Sequence, residues 1–323
     1  MEGSPVHEQK PSQWAFRLAL CLLSPLFFLT YFVGILAPLP LMYLHSGQED
    51  SKRGLLWWGI GAAIGLVLCF FIRGAGIGYL YFALCLLPSI TMMELLKRKW
   101  SLEIIVALGT FLVLLFLALA VAFQYYQNPA LPQESMQWFS DQVKNVSQYL
   151  LQREGQEIPE ATKVELEKLA AEPKLFLQEA PGLGFSLILL VQILPFLFLL
   201  RWNPRQFQKR RGIQRDFFRK WSSPDWLVWP ALLCGALHVF EVEIWSTVAR
   251  NAMKPILLIY FFHGMSILSF FLDSLRMRGG IRWALYGVGT IFLTPMIVSF
   301  GFFDLWFNFR SRHRTQPVKD EET

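Results

Sequence analysis

Few ionisable residues interrupt the long apolar runs of this chain, and those few are the candidates for chemistry. His238, Glu241 and Glu243 fall together in HVFEVE. His238 and Glu241 are three residues apart, so on a helix they share a face. An imidazole and a carboxylate placed so can bind a cation or relay a proton. The alternative is that the two acids sit at a membrane interface and pair with Arg250 or Lys254. His263 precedes Gly264 inside another apolar run. It either hydrogen-bonds a neighbouring helix or joins His238 or a glutamate across a bundle. Arg73 precedes Gly74, Gly76 and Gly78. Exposed backbone N–H groups beside a guanidinium can hold a small anion; otherwise Arg73 snorkels to the interface. Asp304 and Asn308, four apart, close the last apolar run, and Arg310 stands just beyond. That arginine can return to the aspartate or reach a lipid phosphate, in a site or as an end-cap for a bundle.

No hydrolase, kinase or nucleotide-binding motif is present: there is no GxSxG, GxxxxGK[ST] or HExxH. Cys21, Cys69, Cys85 and Cys234 lie in apolar runs without a CxxC pair and read as buried hydrophobes. The pattern specifies no metal ligand set and no catalytic group, and any cofactor is left unknown.

The elements that must position these residues follow from the apolar runs. Of 323 residues 54% are hydrophobic and 17% charged, below the quarter or so charged in soluble domains. Runs of ~18 or more apolar residues read as spanning helices. They predict an all-α, polytopic helical membrane protein with about eight transmembrane helices. The spans fall over 14–37, two within 54–96, 102–125, 182–200, one from Trp226 fading into HVFEVE, 251–272 and 283–306. Pro25 is expected to kink the first, and GAGIG after Arg73 to form a tight turn. Gly61 and Gly65 have GxxxG spacing, a packing motif. Residues 126–181 are different, with nine acids and five bases. Met136, Phe139, Val143, Val146 and Leu150 recur there at threes and fours, which predicts an amphipathic helix on the membrane surface or the bundle. A second helix is expected from Pro159 to about Ala171. The organisation is thus a membrane half over 1–125, an extracytoplasmic segment over 126–181, and a second membrane half over 182–323.

Charge orients this arrangement. Residues 201–220 hold eight Lys or Arg against Asp216 alone, so the 201–225 loop is expected in the cytoplasm. The net charge of +6 lies in such loops, which marks topology and not nucleic-acid binding; the lipid bilayer is the expected partner. Phe207, Phe217 and Phe218 interleave the loop, so it could also touch anionic headgroups. Eight spans put loops 44–53, 97–101 and 275–282 inside as well, all basic, and both termini outside. Arg310, Arg312 and Arg314 conflict with that, unless a proline-broken segment, the first above all, does not cross.

Gly301-Phe-Phe-Asp304-Leu-Trp-Phe307-Asn-Phe309-Arg310 resembles the closing signature of the YybS-like bacterial membrane proteins. Pro38 and Pro40 ending the first span, and Asn251 followed by His263-Gly264, are similar in kind. That family is distantly similar to the substrate-capture subunits of energy-coupling-factor vitamin transporters. The resemblance implies a helical bundle with an outward-opening ligand cavity; Ala15 and Ala19 resemble part of the alanine motif that docks such subunits on their partner. The leading expectation is therefore a protein of the bacterial inner membrane that binds a small molecule as a transport subunit without its own ATPase, coupled to partner subunits. Two other classes stay open: a non-transporting scaffold for envelope or cytoplasmic proteins, and an intramembrane metal-dependent enzyme using His238, Glu241 and His263.

Overall fold

A computed structural model describes residues 11–30, 33–46, 51–151, 164, 167, 171, 174–202, 217–240, 243–277 and 279–314. The chain is an all-α polytopic membrane protein, and no strand occurs among the described residues. In order, the helices are α1 (Pro11–Leu29), α2 (Pro38–Ser46), α3 (Ser51–Arg73), α4 (Ala75–Tyr81), α5 (Leu87–Lys97), α6 (Leu102–Gln127), α7 (Leu131–Leu151) and α8 (Lys174–Trp202). They continue as α9 (Phe217–Lys220), α10 (Val228–Val239), α11 (Glu243–Ser274), α12 (Gly280–Phe292), α13 (Thr294–Phe307) and α14 (Phe309–Arg314).

Among the described residues, five helices are long and apolar enough to cross a bilayer: Lys52–Arg73, Ala75–Lys97, Leu102–Gln127, Gln178–Trp202 and Trp245–Ser274. A bent pair, α12 with α13, raises the number to six if it counts as one span. Two of the eight expected spans are shorter apolar helices and one is the bent pair, and the reasons are local. The first apolar run ends as a helix at Leu29 and restarts at Pro38, leaving Trp14–Leu29 too short. The sixth is the short Asp225–Val239, ~22 Å at 1.5 Å per residue against a hydrocarbon core of ~30 Å. The last bends by 94° at Leu293, where Pro295 in the first turn of α13 cannot donate back to α12. Conversely, Gly74 alone leaves the helix in GAGIG, at φ 86°, and a π turn at Phe82–Leu86 carries the chain past Pro88. Phe71, Leu119, Trp229, Ile291 and Phe292 are exposed, as apolar side chains are when lipid is the solvent. The expected amphipathic helix is α7. The helix expected from Pro159 lies, apart from Val164, Glu167 and Ala171, outside the described residues, as does 203–216 of the basic loop.

The chain divides into two units, Met1–Pro132 with Leu187–Arg215, and Gln133–Ser186 with Asp216–Thr323. In the first unit α1, α2, α3 and α4 enclose Cys21, Leu41, Leu44, Tyr81 and Cys85. The Tyr81 hydroxyl meets Ser24 Oγ at 2.8 Å, and a Cβ on Gly65 would overlap the Tyr81 ring; the GxxxG glycines do pack. Gln192 donates to Thr110 Oγ1 at 2.8 Å between α8 and α6. In the second unit, α10, α11 and α13 share a core of Leu227, Ala231, Cys234, Ala249, Ile256 and Tyr260.

Candidate functional site: a buried histidine, aspartate and arginine

The site in the second unit starts from two glycines. A Cβ on Gly264 of α11 would overlap the Ile297 carbonyl oxygen and stand 2.7 Å from its carbon. A Cβ on Gly301 of α13 would overlap the Tyr260 carbonyl oxygen and stand 2.8 Å from Gly264 N. Both helices therefore touch backbone to backbone, as small residues allow in membranes. The contact sets His263, beside one glycine, against Asp304, one turn beyond the other. His263 Nε2 lies 3.1 Å from Asp304 Oδ2, with the two residues 4% and 7% exposed.

The chain then turns back. Asn308 takes the left-handed conformation, φ 43° and ψ 59°, which asparagine tolerates better than most residues. Phe309 N donates to Asp304 Oδ1 at 2.8 Å, so the aspartate holds the turn that follows it. The turn returns Arg310 to the cluster. Its Nη2 donates to Asp304 Oδ2 at 3.1 Å and lies 3.2 Å from His263 Nε2. Its Nη1 reaches the Trp221 and Arg219 carbonyls at 3.1 and 3.2 Å. Those carbonyls are available because α9 ends at Lys220 and the chain from there to the turn at Asp225–Leu227 is not helical. Irregular backbone is tolerated where protein groups satisfy it or where it lines a cavity. Here it does both: Ser266 Oγ donates to Trp221 O at 2.6 Å, and Ser223 Oγ lies 3.0 Å from His263 Nδ1. Beside the cluster is a cavity of about 270 Å³, lined among others by Ser223, Asp225, Tyr260, Phe302, Asp304 and Asn308.

Ser223, His263 and Asp304 stand in the order of a hydrolase triad, and the neighbouring charge decides against that chemistry. A serine base must pass through imidazolium. The Arg310 guanidinium lies 3.2 Å from the imidazole and is itself paired with Asp304. It thereby neutralises the carboxylate that would have stabilised imidazolium. The arrangement is an ion pair fixed by hydrogen bonds. Removing one partner of such a buried pair costs roughly 3–5 kcal/mol.

Of the residues singled out from the sequence, His263, Asp304 and Arg310 come together. Arg73 ends α3, exposed, beside Gly74. His238 is exposed in the last turn of α10. Glu241 lies outside the described residues, as does the side chain of Glu243. Arg250 and Lys254, the alternative partners for those acids, ion-pair with Glu179, Arg250 Nε at 3.0 Å from its Oε1. Asn251 bridges the same helices, accepting from Gly182 N at 2.7 Å and donating to Gln178 O at 2.6 Å. Among the described residues no group of three His, Cys, Asp or Glu could hold a metal ion.

The sequence reading passed over Ser223, Asp225, Tyr260 and Ser266. The Ser-Ser-Pro-Asp run at 222–225 is a helix-start signal, and reading it that way would have ended the basic loop earlier. It also passed over the first unit's buried His45, whose Nε2 meets Glu94 Oε1 at 2.8 Å. A second arginine pair marks the same end of α11 as Arg310. Asp273 pairs with Arg219 at 3.1 Å and with Arg282, and Arg282 Nη2 donates to Ser269 Oγ at 2.8 Å.

A family model described as a predicted membrane protein (DUF2232) matches residues 15–305. No curated protein and no solved structure matches the chain.

Proposed function

The chain belongs to the DUF2232 family of predicted membrane proteins, and from that premise we propose that it binds a small polar molecule in the cavity beside His263, Asp304 and Arg310. The observation that carries the reading is a charged cluster walling a cavity inside an apolar helical unit. His263 and Asp304 lie in apolar helices, where ionisable side chains are rare and by default mark functional sites. The role is that of a ligand-binding subunit in a transport assembly, in line with the resemblance to vitamin-capture subunits. The chain carries no nucleotide-binding motif, so energy would come from partner subunits.

The membrane is a bacterial cytoplasmic membrane in this reading, with the basic 201–225 loop inside. The bent pair α12–α13 is then a re-entrant hairpin. Arg282 and Arg310 bond Ser269 and Ser266, one turn apart on α11 and ~5–6 Å between Cβ atoms. Its two ends therefore lie at similar depth, far short of ~30 Å. Arg310, Arg312 and Arg314 stay with the other basic segments, and the conflict with the positive-inside rule disappears.

A scaffold is the second reading. It rests on α7, where Trp138, Val146 and Tyr149 are exposed on one face that a partner or a membrane surface could cover. Mass spectrometry of the small molecules released from the purified protein separates the two. A stoichiometric molecule, lost in Arg310→Ala, supports binding. Co-purifying proteins without any such molecule would replace it with the scaffold.

A further inference from the structure

Resting on the cavity being a binding site, we infer that its ligand carries a small ammonium group, held between Asp225, Tyr260 and Asn308. The reasoning separates polar groups already bonded from those still open. Arg310, the cavity's one lining arginine or lysine, is committed: Nη2 to Asp304 and Nη1 to two carbonyls and Ser266. Asp304 is bonded through both oxygens. His263 and Ser223 hold each other. What remains faces the space. Tyr260 is 4% exposed, and its hydroxyl has no hydrogen-bond partner among the described residues while its side chain lines the cavity. That hydroxyl reaches accessible space, so a ligand in the cavity can bond it. Asp225 opens on the same space, exposed and with no ion pair among the described residues.

Charge then chooses the ligand. The lining holds two carboxylates, Asp225 and Asp304, and one guanidinium, Arg310. These three side chains sum to −1. The first turn of the Asp225–Val239 helix offers its N-terminal end here, which supplies only about +0.5. The open acceptors are a carboxylate, a phenol oxygen and an amide oxygen, which together suit a donor-rich cation. The Tyr260 and Phe302 rings, edge to face at 5.3 Å, add faces that attract a cation. The volume of about 270 Å³ has room for roughly nine water-sized groups at ~30 Å³ each. That fits a small amine.

The test uses the full chain in detergent or nanodiscs. Ethanolamine, choline and putrescine are titrated by calorimetry, with acetate, phosphate and glucose as anionic and neutral probes. At least one ammonium probe is expected to bind, and Asp225→Asn to weaken it about tenfold or more, as losing a charge-assisted bond does. Tyr260→Phe weakens it less. The melting temperature of ligand-free Asp225→Asn stays near the parent value, because Asp225 is exposed and bonds nothing that folding needs. Binding of acetate or phosphate without any ammonium probe overturns the ligand class and leaves the site standing. Ammonium binding that ignores Asp225→Asn overturns the placement. Failure of every probe, with no small molecule released from the protein, overturns both this inference and the binding site beneath it.

Discussion

Adding one methyl group at Gly264 tests how the site is assembled. The new Cβ would overlap the Ile297 carbonyl oxygen and stand 2.7 Å from its carbon. The obstacle is backbone, so no side chain can rotate away, and α11 and α13 must move apart. Overpacking a tight contact costs typically 1–3 kcal/mol, and a backbone obstacle puts Gly264→Ala near the upper end. Alanine recovers about 1 kcal/mol of helix propensity over glycine. The net loss is about 2 kcal/mol, or roughly 4–8 °C in melting temperature for a unit of this size. The movement also stretches the 3.1 Å contact between His263 and Asp304, so ligand retention falls along with stability. Gly287→Ala is the control: it lies in α12, and its added Cβ meets nothing within 4 Å, so the same methyl should be neutral or stabilise slightly. The assay is a thermal melt of both variants in one detergent. Equal melting temperatures for Gly264→Ala and the parent would refute the backbone-contact account.

Arg310→Ala strands Asp304 and His263 in the interior and is expected to cost roughly 3–5 kcal/mol; Asp304→Asn combined with Arg310→Met, which removes both charges, should melt above Arg310→Ala alone. Ser223 is not an activated nucleophile, so a fluorophosphonate probe should leave it unlabelled, and stoichiometric labelling would restore the hydrolase reading. Single cysteines introduced at Gly279 and at Thr323 should respond alike to a membrane-impermeant maleimide in intact cells; opposite responses would make α12–α13 a crossing segment.

The lipid-facing character of the fold was legible because it is a property of composition along the chain, and runs such as 102–125 need no tertiary information. The same reasoning does not tell a straight span from a short or bent one. Apolar length does not report direction, and the 94° bend at Leu293 depends on how α13 packs on α11. His263, Asp304 and Arg310 were legible one by one, as isolated polar residues in or beside apolar runs. Their meeting was not. It depends on Gly264 and Gly301 letting two helices touch and on Asn308 reversing the chain, and sequences separated by some forty residues carry no direct mark of either. Ser223 and Asp225 were hidden by the basic loop before them. The stretch Gly301–Arg310 stood out by resemblance alone, and the crossing and the turn give the physical reason its Asp304 and Arg310 meet.

A structure determined experimentally in lipid nanodiscs, from protein purified without added ligands, bears most directly on the claim that this cavity holds a small molecule. The account predicts density for a compact polar molecule bounded by Asp225, Tyr260 and Asn308, with Arg310 still paired to Asp304. A cavity closed by protein side chains, or filled by a lipid acyl chain with Asp225 turned away, would contradict it.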